Sequence, residues 1–209
     1  ETLISDKIIG NPTGLEVNWL EDWSGIFNAH PWLAGPKDSY LGFLSRGGGA
    51  CCEHSHAIAL WLHLAKALRL GSVNEVNGKM VMVCENNLSY DETTTIQLKT
   101  DKGISGHIFS SWIHPFEEHR LILIGSKGMI SFEDSKTGSP IIFYDKGYRV
   151  VNSIPVKIDN SFVAINYDYK PPLTEELKYF IKNIDNSKIK KSGATSALEV
   201  TKILTEASK

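Results

Sequence analysis

At Gly71 the hydrophobic rhythm of the chain changes, and that change restricts the fold more than any other feature. Upstream, Gly47-Gly48-Gly49 opens a helical pattern running to about Leu70, with Ile58, Leu60, Trp61, Leu62, Leu64, Ala65 and Leu68 covering nearly its whole circumference. A helix that is apolar almost all round belongs at the centre of a fold. Gly71 stands where a left-handed C-terminal cap is expected. Downstream, from Val73 to Tyr167, the period is two, and strands are predicted over 75–84, 92–100, 104–113, 120–125, 129–132, 141–144 and 161–167. The connections Asp101-Lys102-Gly103 and Ser126-Lys127-Gly128 are too short for a crossover helix, so the strands they join are antiparallel. Asn77-Gly78 resembles a hairpin turn, but too few residues precede it for a strand, and one long strand is expected there.

The rest of the chain flanks this helix and sheet. Glu1 to Lys7 reads as the end of a helix, which implies that something preceded it; a Gly-Asn-Pro-Thr-Gly turn at 10–14 and an alternating strand, Leu15 to Trp19, follow. Residues 20–46 lack a sustained period yet contain Trp23, Phe27, His30, Trp32, Tyr40 and Phe43. So many aromatics mark either a satellite cluster that packs the loop onto the core or a wall facing a ligand, and the two are compatible. After Lys170-Pro171-Pro172 two amphipathic helices are predicted, one near Thr174 with Glu175 and Glu176 in its first turn, the other with the capping-box pattern Ser196-x-x-Glu199. The link between them, with Lys188, Lys190 and Lys191, reads as a solvated loop, with phosphate binding the alternative. The expected arrangement is one domain over 1–209: a lead-in strand and aromatic loop (1–46), a central helix (47–71), a sheet (73–169) and terminal helices (172–209).

Composition narrows the function. Of 209 residues 42% are hydrophobic, enough for a sizeable core, and 22 Lys and Arg against 24 Asp and Glu give a net charge of -2. No broad positive field exists to gather phosphates or anionic lipid, which argues against nucleic-acid and membrane-surface partners. The most apolar run, Ala57 to Leu70, carries His63, Lys66 and Arg69 and is no membrane span. The first residues show neither the positive leader nor the apolar segment of a secretory signal. Three cysteines, two of them adjacent at Cys51 and Cys52, form no disulfide framework, so reduced thiols and a cytoplasmic address are expected.

The chemistry concentrates in Cys51-Cys52-Glu53-His54-Ser55-His56. On a continuous helix Glu53 and His56, three apart, share a face, where a carboxylate can fix the tautomer of an imidazole and raise its basicity. Such a pair is suited to take a proton from a substrate hydroxyl near neutral pH; an incidental surface pair is the other reading. Metal binding through His54 and His56, as in a metal hydrolase, lacks a second matching ligand pair, and His63 lies seven residues beyond His56. The glycine triplet either lets backbone N–H groups approach a ligand or simply turns the chain tightly into the helix. The chain contains no G-x-G-x-x-G, Walker loop or G-x-S-x-G elbow, so no standard dinucleotide site is expected within it.

These residues together resemble the second domain of the Gfo/Idh/MocA oxidoreductases. The glycine triplet, the acidic residue and His56, and the apolar helix ending at Gly71 are followed in the same order by Tyr90-Asp91-Glu92-Thr93 before a strand, Gly103 to Trp112, Arg120 to Gly128, and the two terminal helices. The resemblance implies an α+β fold, a large, mostly antiparallel open β-sheet with helices packed on one face, the other face commonly packing on a second subunit to give a homodimer or tetramer. Ser110 and Thr95 among apolar neighbours suit such packing. It implies that NAD or NADP is held by an N-terminal Rossmann domain with a Glu-Lys-Pro motif, neither of which this chain contains; Lys170-Pro171 lacks the Glu and reads as a turn, and from the ligand spacing above no metal is expected. By the same resemblance His56 is the catalytic histidine, Glu53 stands where an Asp is usual, and Ala59 replaces a common acidic residue. Trp19, His30, Trp32, Tyr40, Arg46, Trp112 and His114 fall in segments that face the substrate, expected to be a sugar, sugar derivative or cyclitol. The alternative is a noncatalytic carbohydrate-binding or dimerisation module.

Overall fold

A computed structural model describes residues 8–136, 138–145, 147–157, 161–185 and 193–209. Its elements are β1 (Pro12–Asp22), α1 (Trp23–Ala29), α2 (Ala50–Glu53), α3 (Ser55–Ala67), β2 (Val73–Glu85), β3 (Leu88–Thr100), β4 (Ser105–Ser111), β5 (Ile113–Gly125), β6 (Gly128–Glu133), β7 (Ile141–Asp145), β8 (Tyr148–Val151), β9 (Ile154–Lys157), β10 (Phe162–Ile165), α4 (Pro172–Asn183) and α5 (Ala194–Ala207). The helix expected at Glu1 to Lys7 and most of the lysine-bearing link lie outside the described residues.

Eight strands form one open sheet in the order β10-β7-β6-β5-β1-β4-β3-β2. Every neighbouring pair is antiparallel except β1 with β4, so the α+β architecture with a mostly antiparallel sheet holds. The meander is interrupted at one place. β4 and β5, consecutive in sequence, do not pair, because β1 lies between them. Trp112 carries the chain across the end of β1, its carbonyl accepting from Trp23 N–H (2.9 Å) and its own N–H donating to the Glu92 carbonyl (3.0 Å). The expected lead-in strand is therefore the middle of the sheet and is longer than its alternating stretch. β2 is the single long strand anticipated over Asn77-Gly78.

Register sorts the side chains into two faces. On β1, Leu15, Val17 and Trp19 lie opposite Gly106, Ile108 and Ser110 of β4 and Leu123, Leu121 and His119 of β5. This face carries α3 and α5. The Trp61 indole of α3 is fully buried and donates to the Leu15 carbonyl at 2.9 Å. Gly106 makes room for it, since a Cβ there would lie 2.6 Å from the Trp61 ring. Ile203 and Ala207 of α5 are buried over β2. The opposite face presents Glu16, Asn18, Thr95, Gln97 and the Lys99–Glu75 ion pair at 3.1 Å. Ser110, expected on that outer face with Thr95, is instead buried on the helix side, one residue out of phase with Phe109, the partner of Thr95.

Local structure changes some of these expectations and adds to them. The helix after the glycines is two helices, broken at His54 (φ -88°, ψ 27°). α3 ends at Ala67, before Gly71, through Arg69 at φ 55°; Leu70 N–H donates to the Ala65 carbonyl and Arg69 N–H to that of Lys66, a Schellman closure with buried Leu70 over Ala65. The Ser196 capping box does not form, because α5 already begins at Ala194 after Gly193. β8 and β9 make a separate ribbon whose turn, Asn152-Ser153, has φ 49° and 66°. The aromatic stretch is ordered as α1 and three single 3-10 turns, Pro36–Asp38, Tyr40–Gly42 and Leu44–Arg46. No described helix is long and apolar enough to cross a membrane.

Candidate active site

The first turn of α3 lies above the C-terminal half of β1, and this places His56 over the sheet. His56 is exposed. Its ring centroid is 5.3 Å from that of Trp19, tilted by 33°, and the Trp19 indole stacks on His119 at 4.1 Å and 24°. Glu21, the next residue on that side of β1, accepts from both rings through one oxygen: Trp19 Nε1–H to Oε1 at 2.9 Å and His119 Nε2–H to Oε1 at 2.9 Å. The hydrogen bond from His119, foremost, holds the Glu21 carboxyl below its usual range. His119 Nδ1 faces Glu117 Oε1 at 3.5 Å. An apolar cavity of about 320 Å³ opens beside this stack, walled by Trp19, Leu60, Leu64, Leu121, Ile130 and Phe132.

The helix breaks at His54, between Glu53 and His56, so the two are not on one continuous helical face, and Glu53 Oε2 accepts from the Tyr40 hydroxyl at 2.8 Å. Burial, and then this carboxylate, push the Tyr40 hydroxyl up to about 12. His54, between the two, is only 3% exposed; burial holds its imidazole down at about 4, so it is neutral at pH 7. Among the described residues its Nε2 has no hydrogen-bond partner.

The other residues expected at a ligand wall separate into distinct places. Trp112 is 1% exposed and packs on Trp23 at 3.9 Å with Leu41 and Ala50 around it, so it is a core residue and presents no surface to a ligand. His30 caps α1 through Nδ1 and the Ile26 carbonyl (2.9 Å) and meets the exposed Trp32 ring edge-on at 5.2 Å. The Arg46 guanidinium lies 4.1 Å over the Phe43 ring. His114 is tied to the Phe116 carbonyl at 2.7 Å, in a stretch of β5 that bulges out where Leu20 pairs with Glu118 and Asp22 with Ile113. The aromatic segment forms the satellite cluster expected of it, with Trp23, Phe27 and Leu33 packed on the smaller core, and leaves Trp32 and Tyr40 exposed.

The glycine triplet has a structural cause. Gly49 is at φ 91°, and a Cβ there would lie 2.0 Å from Asp91 Oδ1. The fully buried Asp91 accepts from Cys51 N–H at 2.9 Å through Oδ2, which also takes the Thr94 hydroxyl. A side chain of β3 therefore already occupies the helix N-terminus. Burial pushes the Asp91 carboxyl up. With this N-terminus filled, the glycine triplet makes no cradle for phosphates. Cys51, Cys52 and Cys84 are free thiols. Among the described residues no group of three or more His, Cys, Asp or Glu side chains is placed to hold a metal ion.

The sequence did not mark Glu21 or His119, marked His54 only as a candidate metal ligand, and marked Asp91 only through the Tyr90-Asp91-Glu92-Thr93 segment. The Trp19–His119 pairing depends on the β1–β5 register.

Known proteins bear on this geometry. The levoglucosan dehydrogenase structure with NADH and levoglucosan superimposes with a TM-score of 0.68 at 15% identity, over 99% of this chain and 59% of that one. UDP-N-acetylglucosamine 3-dehydrogenase GnnA from Acidithiobacillus ferrooxidans gives 0.64 at 14%, over 99% and 56%. An inositol dehydrogenase homolog complexed with NAD+ from Azotobacter vinelandii gives 0.56 at 12%, over 82% and 41%. The chain thus spans less than two thirds of the length of these proteins, and at such identities they share its fold. No curated protein matches it in sequence. A sequence model of the GFO/IDH/MocA C-terminal domain matches residues 1–131, and the chain belongs to that family.

Proposed function

We propose that this chain is the substrate-binding and oligomerising domain of an oxidoreductase that uses NAD or NADP to oxidise or reduce a hydroxyl-bearing carbon of a sugar, sugar derivative or cyclitol. The observation that carries this reading is His56: an exposed imidazole on the first turn of α3, set against the Trp19 ring at 5.3 Å. A neutral imidazole there can accept the proton of a substrate hydroxyl, and an indole beside it can pack on the apolar face of a sugar ring. Exposed Tyr40, with Glu53 behind it, supplies a further polar contact, and Trp32, His30, Arg46 and His114 an outer rim. Trp112 acts by supporting the core. The cofactor belongs to protein beyond these residues, and no step through it is assigned to them.

The free thiols favour a reducing, cytoplasmic compartment. The outer sheet face, with Glu16, Asn18 and Thr95, is the proposed isologous surface of a homodimer or tetramer; a monomer at high concentration in sedimentation overturns that part.

The test is turnover by a protein carrying this chain beside a nucleotide-binding domain, assayed with NAD or NADP against levoglucosan and myo-inositol. His56→Ala is expected to lower kcat by roughly 100-fold or more, as loss of a positioned general base does. Near-normal turnover refutes the role. A second reading, a carbohydrate-binding module without catalysis, is favoured by the engagement of Glu53 with Tyr40 instead of His56. It predicts sugar binding that survives His56→Ala, with no turnover in any pairing.

A further inference from the structure

Resting on the reading of His56 given above, we propose that Glu21, and not Glu53, is the positioning carboxylate of this site. Three rings, His119, Trp19 and His56, form a contiguous row across β5, β1 and α3, the first two stacked and His56 tilted by 33° against Trp19. A ring stack of this kind has soft torsions and holds a fixed plane only if its edges are tied. Glu21 ties two of them through a single oxygen, Oε1, which accepts from Trp19 Nε1–H and His119 Nε2–H, each at 2.9 Å. Register makes this possible: Trp19 and His119 are directly opposite, and Glu21 follows Trp19 on the same side of β1.

The neighbours of the carboxylate explain its importance. It is partly screened, with 29% of its side chain exposed against 15% for His119, so its hydrogen bonds are firmer than those of a fully exposed pair. Both His119 nitrogens face carboxylates, Nε2 that of Glu21 and Nδ1 that of Glu117 at 3.5 Å. His119 is therefore committed to the stack and does not compete with His56 for a substrate proton. The result is a fixed indole plane against which His56 is the one imidazole of the stack without a carboxylate among its described contacts, and the stack borders the apolar cavity. Glu21 acts on the ligand through Trp19 and His56, fixing the wall and the angle of the imidazole.

The test is side-chain NMR on the 209-residue chain, with Glu21→Ala and Glu21→Gln. The Trp19 ring current should displace the His56 ring protons in the parent. In Glu21→Ala these resonances should move towards exposed-histidine positions, and exchange of the Trp19 Nε1 proton should quicken on the order of 10-fold, the value of one lost hydrogen bond. Glu21→Gln keeps an acceptor oxygen and should restore most of both signatures. Unchanged His56 resonances in a folded Glu21→Ala chain overturn the proposal, as does a loss of thermal stability with no movement of either signature. The outcome is separate from that of the His56→Ala turnover assay: stack signatures that respond to Glu21 beside a His56 that is dispensable for turnover leave the positioning role standing and remove the catalytic one.

Discussion

Replacing Gly106 by Ala tests how the sheet holds the helix that carries His56. The added Cβ would meet Trp61 Cε2 and Cζ2 at 2.6 Å and Nε1 at 2.7 Å, against about 3.5–4.0 Å for an unstrained carbon contact. About 1 Å of movement is required, and the ring has nowhere to go: it is fully buried, and its N–H is bound to the Leu15 carbonyl at 2.9 Å. If the ring slides, a buried donor loses its partner at a cost of about 1–3 kcal/mol; if α3 lifts, contacts under it loosen at an overpacking cost of about 1–3 kcal/mol. Either route gives roughly 2 kcal/mol, which for a chain of this size lowers Tm by about 4–8 °C. Urea and thermal unfolding of Gly106→Ala, Trp61→Phe and the double variant measure it. The smaller phenyl ring leaves space for the Cβ, so the double variant should be more stable than the sum of the singles by about 1 kcal/mol or more. Additive singles, or a Gly106→Ala chain within 0.5 kcal/mol of the parent, refute the steric argument.

Other perturbations follow from the same contacts. His54 has its folded pKa depressed to about 4 from an ordinary 6.5 by burial, so the unfolded chain binds the extra proton between those values; stability is full above about 6.5 and is lost as pH falls towards 4, by at most roughly 3 kcal/mol. His54→Leu should flatten that fall in urea midpoints measured at pH 7 and pH 5, and an unchanged slope counts against the assignment. Asp91→Ala strands the buried Cys51 N–H and Thr94 hydroxyl and should cost about 2 kcal/mol by chemical denaturation; a cost below 0.5 kcal/mol contradicts the capping role. Arg69→Gly, at the left-handed position ending α3, should raise stability by about 0.5 kcal/mol, the relief of the Cβ clash less the entropy glycine adds to the unfolded chain; a lower Tm argues against it.

What could be read from the residues was whatever local chemistry dictates. Period-two stretches joined by Asp101-Lys102-Gly103 and Ser126-Lys127-Gly128 had to be antiparallel neighbours, and β3–β4 and β5–β6 are. The apolar length of α3 placed it against the sheet. The insertion of β1 between β4 and β5 had no local mark, because strand order is decided by which faces can be buried together. Gly78 shows the same limit: it resembles a turn residue, yet it is glycine because Ala207 of α5 approaches, its carbonyl only 2.0 Å from where a Cβ would lie. At the site, His56 was visible as a residue but its surroundings were not. The spacing of Glu53 and His56 assumed an unbroken helix, and the chain breaks at His54, between them. Trp112 carried an aromatic signal that suits a ligand wall and a core equally; its position where the backbone crosses β1 decides for the core.

The location of β1 also orders events during synthesis. Asn18 and Glu118, bonded at 3.0 Å, are 100 residues apart, so β1, made before the other strands of this sheet, can be fully flanked only after both of its neighbours have been made. At about 5–20 residues per second that is a wait of roughly 5–20 s, during which a strand with one apolar face has both edges open to any passing chain. The hairpin of β2 and β3 can form meanwhile from adjacent sequence, and loop-closure entropy favours that sequence of events. Nascent chains halted before β5 emerges should accordingly be the ones most in need of chaperones.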